Sequence, residues 1–269
     1  MIFDIKIITA AVVIASLSVF AVDTDTQIEA HELLSKAAET FSQANQSDGQ
    51  NSGALYIEAA KLYEQAADKG GISNAKLYYN IANSYLLAGD LGKAIYNYKR
   101  GIRLDPSDPL LQRNLAVARS KRLDKVDIQM EKKVLARLCF WHYDLSLRTR
   151  FYTAAILFGV LMLLFTLKVW LPSLPGFAAA AVVCGVLFVS MAGSVAVEVV
   201  YNRTHRQGVI AAGEVVARKG DSEKYEPSFK EPLHSGTEFE LLEKRPQWLK
   251  VQLTDGSQVW LPDEACMLL

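Results

Sequence analysis

The stretch AKLYYNIANSYLLAGDLGKAIYNYKRGIRLDPSD, residues 75–108, decides the architecture of this chain. Aromatic, apolar and small residues recur in it at fixed spacing, and the pattern ends on a proline: Tyr78, Ile81, Ala82, Tyr85, Ala94, Tyr98 and Pro106. Small residues such as Ala82 and Ala94 let two helix backbones approach closely, while the large residues fill the space between them. The pattern therefore predicts two antiparallel helices joined by a turn at Gly89 and Asp90.

This spacing resembles the tetratricopeptide repeat, a helix pair that stacks with its neighbours into a groove for another polypeptide. The face of the first helix that usually lines such a groove carries five candidate protein-binding residues: Tyr79, Asn80, Asn83, Leu86 and Leu87. An asparagine amide offers an acceptor and two donors, so Asn80 and Asn83 are suited to hold a peptide backbone. The alternative is that both amides only satisfy neighbouring loops.

A degenerate copy of the pattern precedes the well-formed repeat. Thr26 and Glu29 form a capping-box pattern at the start of a predicted helix that extends to about Asn45. After the polar loop NQSDGQNSG, the second-helix positions of the motif are matched by Ala59, Tyr63 and Ala66. We therefore expect an imperfect repeat with an insertion in its turn.

A further helix closes the array. Asp108 is a predicted N-cap with Pro109 at the first helical position, and the helix is expected to run to about Val126. The sequence thus predicts a tetratricopeptide domain over residues 24–126. Because stacked repeats need about three units to bury a continuous core, another surface should complete it: a partner protein, a second copy, or the apolar helices that follow.

Two long apolar runs come next. Residues 151–167 and 177–197 contain no charged side chain, and each is close to the ~20 residues that a helix needs to cross a bilayer. The connector LPSLPG between them is long enough only for a tight turn. The sequence predicts a transmembrane hairpin with helices 151–170 and 177–200, against the alternative of two buried helices in a soluble core.

The N-terminus carries a third apolar run. Ile7–Phe20 has the length of a signal-peptide core, and Val19 and Ala21 fit the small-residue rule for cleavage. We expect a signal peptide over residues 1–21, with an uncleaved anchor as the alternative.

The region before the hairpin is basic. We expect residues 127–150 to form a basic connector that is either solvated or in contact with anionic lipid headgroups. Antiparallel packing of the hairpin would bring Glu198 back to the level of Arg150. We predict an ion pair between these two residues that locks the helices, and the alternative is a glutamate that faces water.

The tail over residues 207–269 changes character. It consists of short β-rich runs separated by glycine and proline, namely Val209–Ala217, Thr237–Leu242, Trp248–Leu253 and Gln258–Leu261, with a hairpin turn signal at Thr254–Ser257. The segments LHSGTEFELLEK, WLKVQL and VWLP resemble bacterial Src-homology-3-like domains, which implies a small all-β barrel. Those domains usually carry glycine before the late tryptophan. Here Val259 precedes Trp260, and we expect this larger residue to alter any pocket beside the ring.

The chain offers little that suggests catalysis. Its 269 residues hold 29 Lys and Arg against 29 Asp and Glu, so the net charge is zero and no nucleic-acid partner is expected. The four histidines and three cysteines show neither metal-ligand spacing nor a disulfide framework. No phosphate-binding glycine loop and no nucleophile elbow is present. We expect no catalytic, cofactor-binding or metal site, and a protein that is not an enzyme.

The order of these parts is similar to that of the BatE-like proteins of bacterial aerotolerance operons. The strongest local pieces are LYYNIANSYLLAGDLGKAIYNYKRGIRLDPSDP followed by NLAVAR, and WLKVQLTDGSQVWLP. The resemblance implies a membrane-anchored scaffold of an envelope complex that works with von Willebrand factor A domain proteins and a MoxR-type ATPase in aerotolerance or stress tolerance. The alternative is a cell-wall sensor or anchor whose barrel binds peptidoglycan.

Two signals conflict on orientation in the bacterial inner membrane. The lysines and arginines at the outer ends of the hairpin favour a cytoplasmic side for the soluble domains. The N-terminal segment, weakly positive before its apolar core and acidic after it, favours export. Because the first segment usually dominates, we expect the domains to face the periplasm, and the cytoplasmic orientation stays open.

Overall fold

The structure of the protein is a computed structural model. It describes residues 24–47, 50–124, 140–170 and 176–269. The expected signal peptide (1–21) and the first part of the basic connector (127–150) lie outside these residues. The chain divides into two compact units between Ser73 and Asn74. The predicted repeat domain 24–126 is therefore split between the two units.

The first unit contains two helices, α1 (Thr24–Gln46) and α2 (Gln50–Gly70). They pack closely because many of their buried positions are alanines: Ala30, Ala37, Ala44, Ala59, Ala60 and Ala66. The rings of Phe41 and Tyr56 meet edge to face, with 5.4 Å between their centroids. Two expectations differ from this structure. Thr26 lies inside α1 rather than at its start, and α2 begins at Gln50, within the stretch expected to form the polar loop.

The second unit begins with the well-formed repeat, whose helices are α3 (Ala75–Leu87) and α4 (Leu91–Leu104). Each helix has a side-chain cap that satisfies a backbone donor of its first turn. The Asn74 Oδ1 atom accepts from Leu77 N at 2.8 Å, and the Asp90 Oδ1 atom accepts from Lys93 N at 3.0 Å. The motif residues that fill the helix contact are buried: Tyr78, Ile81, Ala82, Tyr85, Ala94 and Tyr98.

Helix α5 (Pro109–Ser120) packs against α4. Asp108 caps it as the sequence indicates, since its Oδ1 atom accepts from Leu110 N at 2.8 Å. The helix ends six residues earlier than expected, because the chain turns toward the C-terminal strands. Asp124 there accepts hydrogen bonds from the backbone N of His234 at 2.7 Å and from Thr237 Oγ1 at 2.6 Å.

A short helix, α6 (Phe140–Tyr143), precedes the two longest helices of the second unit, α7 (Leu147–Trp170) and α8 (Phe177–Thr204). Both long helices contain windows apolar enough to cross a membrane, and only 6% of each window is buried. A helix in the core of a soluble domain would be covered by protein. The described structure leaves this apolar surface uncovered, so it does not support the alternative of two buried core helices.

Seven strands follow: β1 (Arg206–Ile210), β2 (Glu214–Val215), β3 (Leu233–His234), β4 (Glu238–Arg245), β5 (Trp248–Leu253), β6 (Gln258–Pro262) and β7 (Cys266–Leu268). Five of them form an antiparallel sheet in the order β6-β5-β4-β1-β7, and β2 pairs with β3. The pairings among the described residues do not join the edge strands β6 and β7. The sheet is therefore as expected, but a closed barrel is not shown.

The C-terminal sheet differs from the sequence prediction in detail. The run Val209–Ala217 is broken after Ile210, and the short strands β3 and β7 were not expected. Val259 is only 2% exposed and belongs to the core of the sheet. Beside the ring of Trp260 lies the Arg245 guanidinium, 4.8 Å from the ring centroid. Arg245 therefore occupies space next to this ring, and the effect of Val259 on a pocket there stays a prediction.

The repeat and the sheet are packed together through α4 and β1. Gly92 is required at this contact, because a Cβ atom there would lie 2.5 Å from the carbonyl oxygen of Ile210. The Gly92 N–H donates to Ser235 Oγ at 2.9 Å. The surface that covers the repeat in this unit thus includes the chain's own sheet, which the sequence prediction had not considered.

A buried carboxylate lies at the same contact. Glu238, at the start of β4, accepts from Arg119 Nε and Nη2 at 2.7 Å each, from Lys99 Nζ at 2.8 Å and from Arg122 Nη1 at 3.2 Å. Burial alone would raise the pKa of this carboxyl. The hydrogen bonds and charges of Arg119 and Lys99 outweigh burial and lower the pKa to about 2.

We predict that Glu238→Gln lowers the free energy of unfolding by about 3 kcal/mol at pH 7, because three cations lose a buried partner. The folded-state pKa of Glu238 lies below its ordinary value of 4.5. Its contribution is therefore complete above pH 4.5 and is lost as the pH falls toward 2. Urea unfolding of the full chain in detergent, followed by tryptophan fluorescence, should show the difference from wild type disappear over that window.

Glu243→Gln is the matched control, since Glu243 is on the same strand but its side chain is 45% exposed beside Arg245. An exposed pair of this kind contributes less than about 1 kcal/mol. A stability difference between Glu238→Gln and wild type that persists undiminished at pH 2 would contradict the prediction.

Candidate protein-binding site

The five residues predicted to line a groove share helix α3. Tyr79, Asn80, Asn83 and Leu86 are half-buried, whereas Leu87 is 52% exposed. Helix α3 contacts α4 and α5. The candidate site is therefore the side of α3 on which Leu87 is exposed to solvent. Helix α5 is adjacent to this side.

Asn83 is the centre of a polar network that joins three helices. Its Oδ1 atom accepts from Asn114 Nδ2 of α5 at 2.9 Å and from the Tyr98 hydroxyl of α4. Asn114 Nδ2 also lies 3.3 Å from the Tyr79 hydroxyl oxygen. The side-chain oxygen of Asn83 thus binds neighbouring helices. The sequence had indicated either a peptide backbone or a neighbouring loop as its partner.

The Tyr98 hydroxyl is a fixed donor in this network. Burial raises the pKa of Tyr98 well above its ordinary value, so the group stays protonated and donates to Asn83. The ring of Tyr98 also meets that of Tyr79 edge to face, with 6.5 Å between centroids. The position of Tyr79 is therefore set by both its ring and its hydroxyl.

Asn80 differs from Asn83. Within the described residues, the Asn80 side chain has no hydrogen-bond partner, although it is half-buried on the same helix. Its amide keeps both an acceptor and two donors for a ligand. A half-buried amide on a face fixed by its neighbours loses little freedom when it binds, which favours recognition of a polypeptide backbone.

Two participants at this site, Tyr98 and Asn114, were not among the predicted binding residues. The repeat pattern identified Tyr98 as a residue that packs between the helices, but it did not indicate that its hydroxyl forms a hydrogen bond. No pattern indicated Asn114, because its contact with Asn83 depends on how α5 is placed against α3.

The predicted hairpin pair, Arg150 and Glu198, is brought together in the structure. Arg150 is only 1% exposed, and its Nη2 atom donates to Glu198 Oε2. Arg150 Nη1 also donates to Ser194 Oγ at 2.7 Å, and Nε donates to the Leu145 carbonyl oxygen at 3.1 Å. Arg150 of α7 therefore contacts α8 through Ser194 and Glu198. Whether the ion pair locks the two helices stays a prediction.

His142 is a further member of this cluster that the sequence did not indicate. Its Nδ1 atom lies 2.8 Å from Ser194 Oγ and 3.1 Å from Arg150 Nη1. The short helix α6 is thereby tied to the end of the hairpin. The side chain of Arg148, two residues before Arg150, is exposed.

Metal binding finds no support in the described part of the chain. There, no group of three or more His, Cys, Asp or Glu side chains is arranged to hold a metal ion. Cys184 and Cys266 are free thiols, and Cys139 lies outside the described residues. The chemistry that this face of α3 offers is hydrogen bonding and apolar contact.

Comparison with known proteins supports the repeat alone. Residues 75–108 match the family model described as tetratricopeptide repeat. No curated protein and no solved structure matches the chain. The tetratricopeptide repeat indicates a role in protein–protein interaction.

Proposed function

We propose that the protein is a membrane-anchored scaffold that binds another polypeptide through the open face of α3. The observation that carries this proposal is the repeat at residues 75–108. Its polar face is fixed by Asn83 and Tyr98 within the repeat and by Asn114 of α5. Asn80 and Leu87 then offer a backbone-binding amide and an exposed apolar contact on one helix. Such a face recognises an extended or helical segment of a partner protein.

The anchoring part of the proposal is supported by α7 and α8. Both are long and apolar enough to cross a membrane, and protein covers little of either. A charged side chain within or beside a bilayer needs a partner, and Arg150 has Glu198, Ser194 and a carbonyl oxygen. We propose that α7 and α8 form a transmembrane hairpin with this cluster at the headgroup level.

The order of parts supports a more specific setting. We propose that the chain belongs to a bacterial envelope complex with von Willebrand factor A domain proteins and a MoxR-type ATPase, with its soluble parts in the periplasm and its C-terminal sheet a Src-homology-3-like domain. In this setting it is a scaffold and not an enzyme. Peptidoglycan binding by the sheet is not favoured, because Arg245 covers the Trp260 ring.

Photo-crosslinking from α3 tests the binding face. A benzophenone side chain at Leu87 in intact cells should crosslink a von Willebrand factor A domain protein, because Leu87 is 52% exposed on that face. Asn80→Ala should lower the crosslink yield several-fold while leaving the thermal stability unchanged within about 0.5 kcal/mol, since its amide is not used inside the fold. Mass spectrometry identifies the product.

Leu242 on β4, which is 42% exposed, provides the matched position away from this face. Asn83→Ala should lower both yield and stability, the latter by about 1–3 kcal/mol, because Tyr98 and Asn114 lose their acceptor. Equal crosslinking of the same protein from Leu242 and Leu87, or no effect of Asn80→Ala, would refute the assignment of the face.

Reporter fusions test the membrane proposal. Alkaline phosphatase, which is active only after export, should be active when fused after Leu269 or inserted at Ser47, and green fluorescent protein should be dark at both places when exported unfolded. The physical reason is the dominance of the first apolar segment over the positive residues beside the hairpin. Activity of only the cytoplasmic reporter at both places would reverse the proposed orientation.

A further inference from the structure

A cavity of about 320 Å³ lies between α4, α5 and β1. This volume is at the lower end of the range for small-molecule sites, about 300–1,000 Å³. Three of its lining residues are cationic (Lys99, Arg103 and Arg119), two are glutamines (Gln112 and Gln207), and Leu115 contributes apolar surface. None of these residues belongs to the face of α3 described above.

The charges around the cavity do not balance. Glu238 takes the hydrogen bonds of Lys99, Arg119 and Arg122, and Asp124 is the other carboxylate that interacts with Arg122. These two carboxylates face three cations before Arg103 is counted, and the further carboxylate that acts on Arg103, Glu198, is already paired with Arg150. Partly buried cations without compensation are costly, so the cavity attracts an anion.

Arg103 is the cation available to bind it. In the part of the chain that the structure describes, its guanidinium has neither a hydrogen-bond nor an ion-pair partner. A free guanidinium presents two parallel N–H donors, which match the oxygens of a phosphate group. Gln207, on β1, lines the same cavity and adds amide donors from another wall.

The cavity lies close to the end of the hairpin at which α7 begins and α8 ends. Helix α4, which carries Lys99 and Arg103, contacts α7. Partial burial lowers the pKa of Arg103, and Tyr96 and the carboxylate of Glu198 on α8 act in the opposite direction. Glu198 and Arg150 mark the end of the hairpin, where phospholipid headgroups would lie.

We propose that this cavity binds a phosphate-bearing anion, with Arg103 as its principal ligand, and that the anion is the headgroup of an anionic phospholipid. The lipid as source rests on the proposed membrane anchoring, whereas the anion site itself does not. In this site Lys99 and Arg119 provide positive electrostatic potential, and Arg103 and Gln207 donate hydrogen bonds to the phosphate. Leu115 contacts the glycerol carbons. A lipid held in this way would fix the repeat at a set height above the bilayer.

Titration of the full chain in neutral detergent tests the proposal without a membrane. The probes are dihexanoylphosphatidylglycerol, dihexanoylphosphatidylcholine and inorganic phosphate, with binding followed by calorimetry. Wild type should bind the phosphatidylglycerol more tightly than the phosphatidylcholine, and Arg103→Gln should weaken this binding about tenfold, as expected for lost hydrogen bonds between charged groups. Gln207→Glu should weaken it at least as much, because it places a negative charge in the cavity.

Arg113→Gln is the matched control, since Arg113 is exposed on α5 and does not line the cavity. It should retain wild-type affinity within about twofold. Arg103→Lys, which keeps the charge, should fall between wild type and Arg103→Gln, and it serves if the glutamine variant does not fold. If inorganic phosphate binds as tightly as dihexanoylphosphatidylglycerol, the cavity is an anion site whose ligand is free phosphate and not a lipid headgroup.

Two results would overturn the site. The first is an absence of binding by all three probes, and the second is a loss on Arg103→Gln no larger than that on Arg113→Gln. Because the titration uses detergent, neither result depends on the orientation that the reporter fusions measure. If the reporters indicate a periplasmic location but none of the probes binds, the proposed lipid site is rejected and the proposed membrane-anchored scaffold is not.

Discussion

The carboxylate of Glu238 is the constraint on which the second unit depends. It is buried between the repeat and the sheet, where it accepts four hydrogen bonds from Lys99, Arg119 and Arg122. A buried charge is tolerated only when its partners are held in place. α4, α5 and the chain after α5 must therefore keep a fixed relation to the start of β4. The close contact of Gly92 with Ile210 sets the distance at which they do so.

In this arrangement one surface of the repeat packs against the sheet and another, on α3, stays available for a partner. Gly92 and Lys99 of α4 and Arg119 of α5 contact the sheet or the residues beside it. The cavity beside Arg103 lies at the edge of this contact. Helix α3 keeps Asn80 and Leu87 available, while Asn83 binds α4 and α5 from within. A short array can then present a rigid face, because the sheet supplies support that further repeats would give in a longer array.

Local patterns in the sequence predicted the local structure. The motif spacing places Ala82, Ala94 and Tyr98 in the helix contact, Asp108 caps α5, and Thr254–Ser257 turns β5 into β6. Each of these features depends on neighbours within one or two turns of chain. The antiparallel geometry of a hairpin also made the approach of Arg150 to Glu198 predictable.

The contacts between distant parts could not be predicted in the same way. Arg119 and Arg122 pair with Glu238 although over 110 residues separate them in the sequence, so no local pattern relates these side chains. Asn114 and His142 likewise act through side chains of other helices. Such pairs depend on how whole elements pack, and a sequence pattern carries no record of that packing.

A double-mutant cycle on Arg119 and Glu238 tests most directly whether this buried charge cluster holds the repeat to the sheet. Arg119→Gln, Glu238→Gln and the double variant would be unfolded with urea as full chains in detergent, and the coupling free energy obtained from the four stabilities. Two short hydrogen bonds between charged groups predict a coupling of about 2 kcal/mol. Additive losses within about 0.5 kcal/mol would show that the two residues act independently, and would contradict the account.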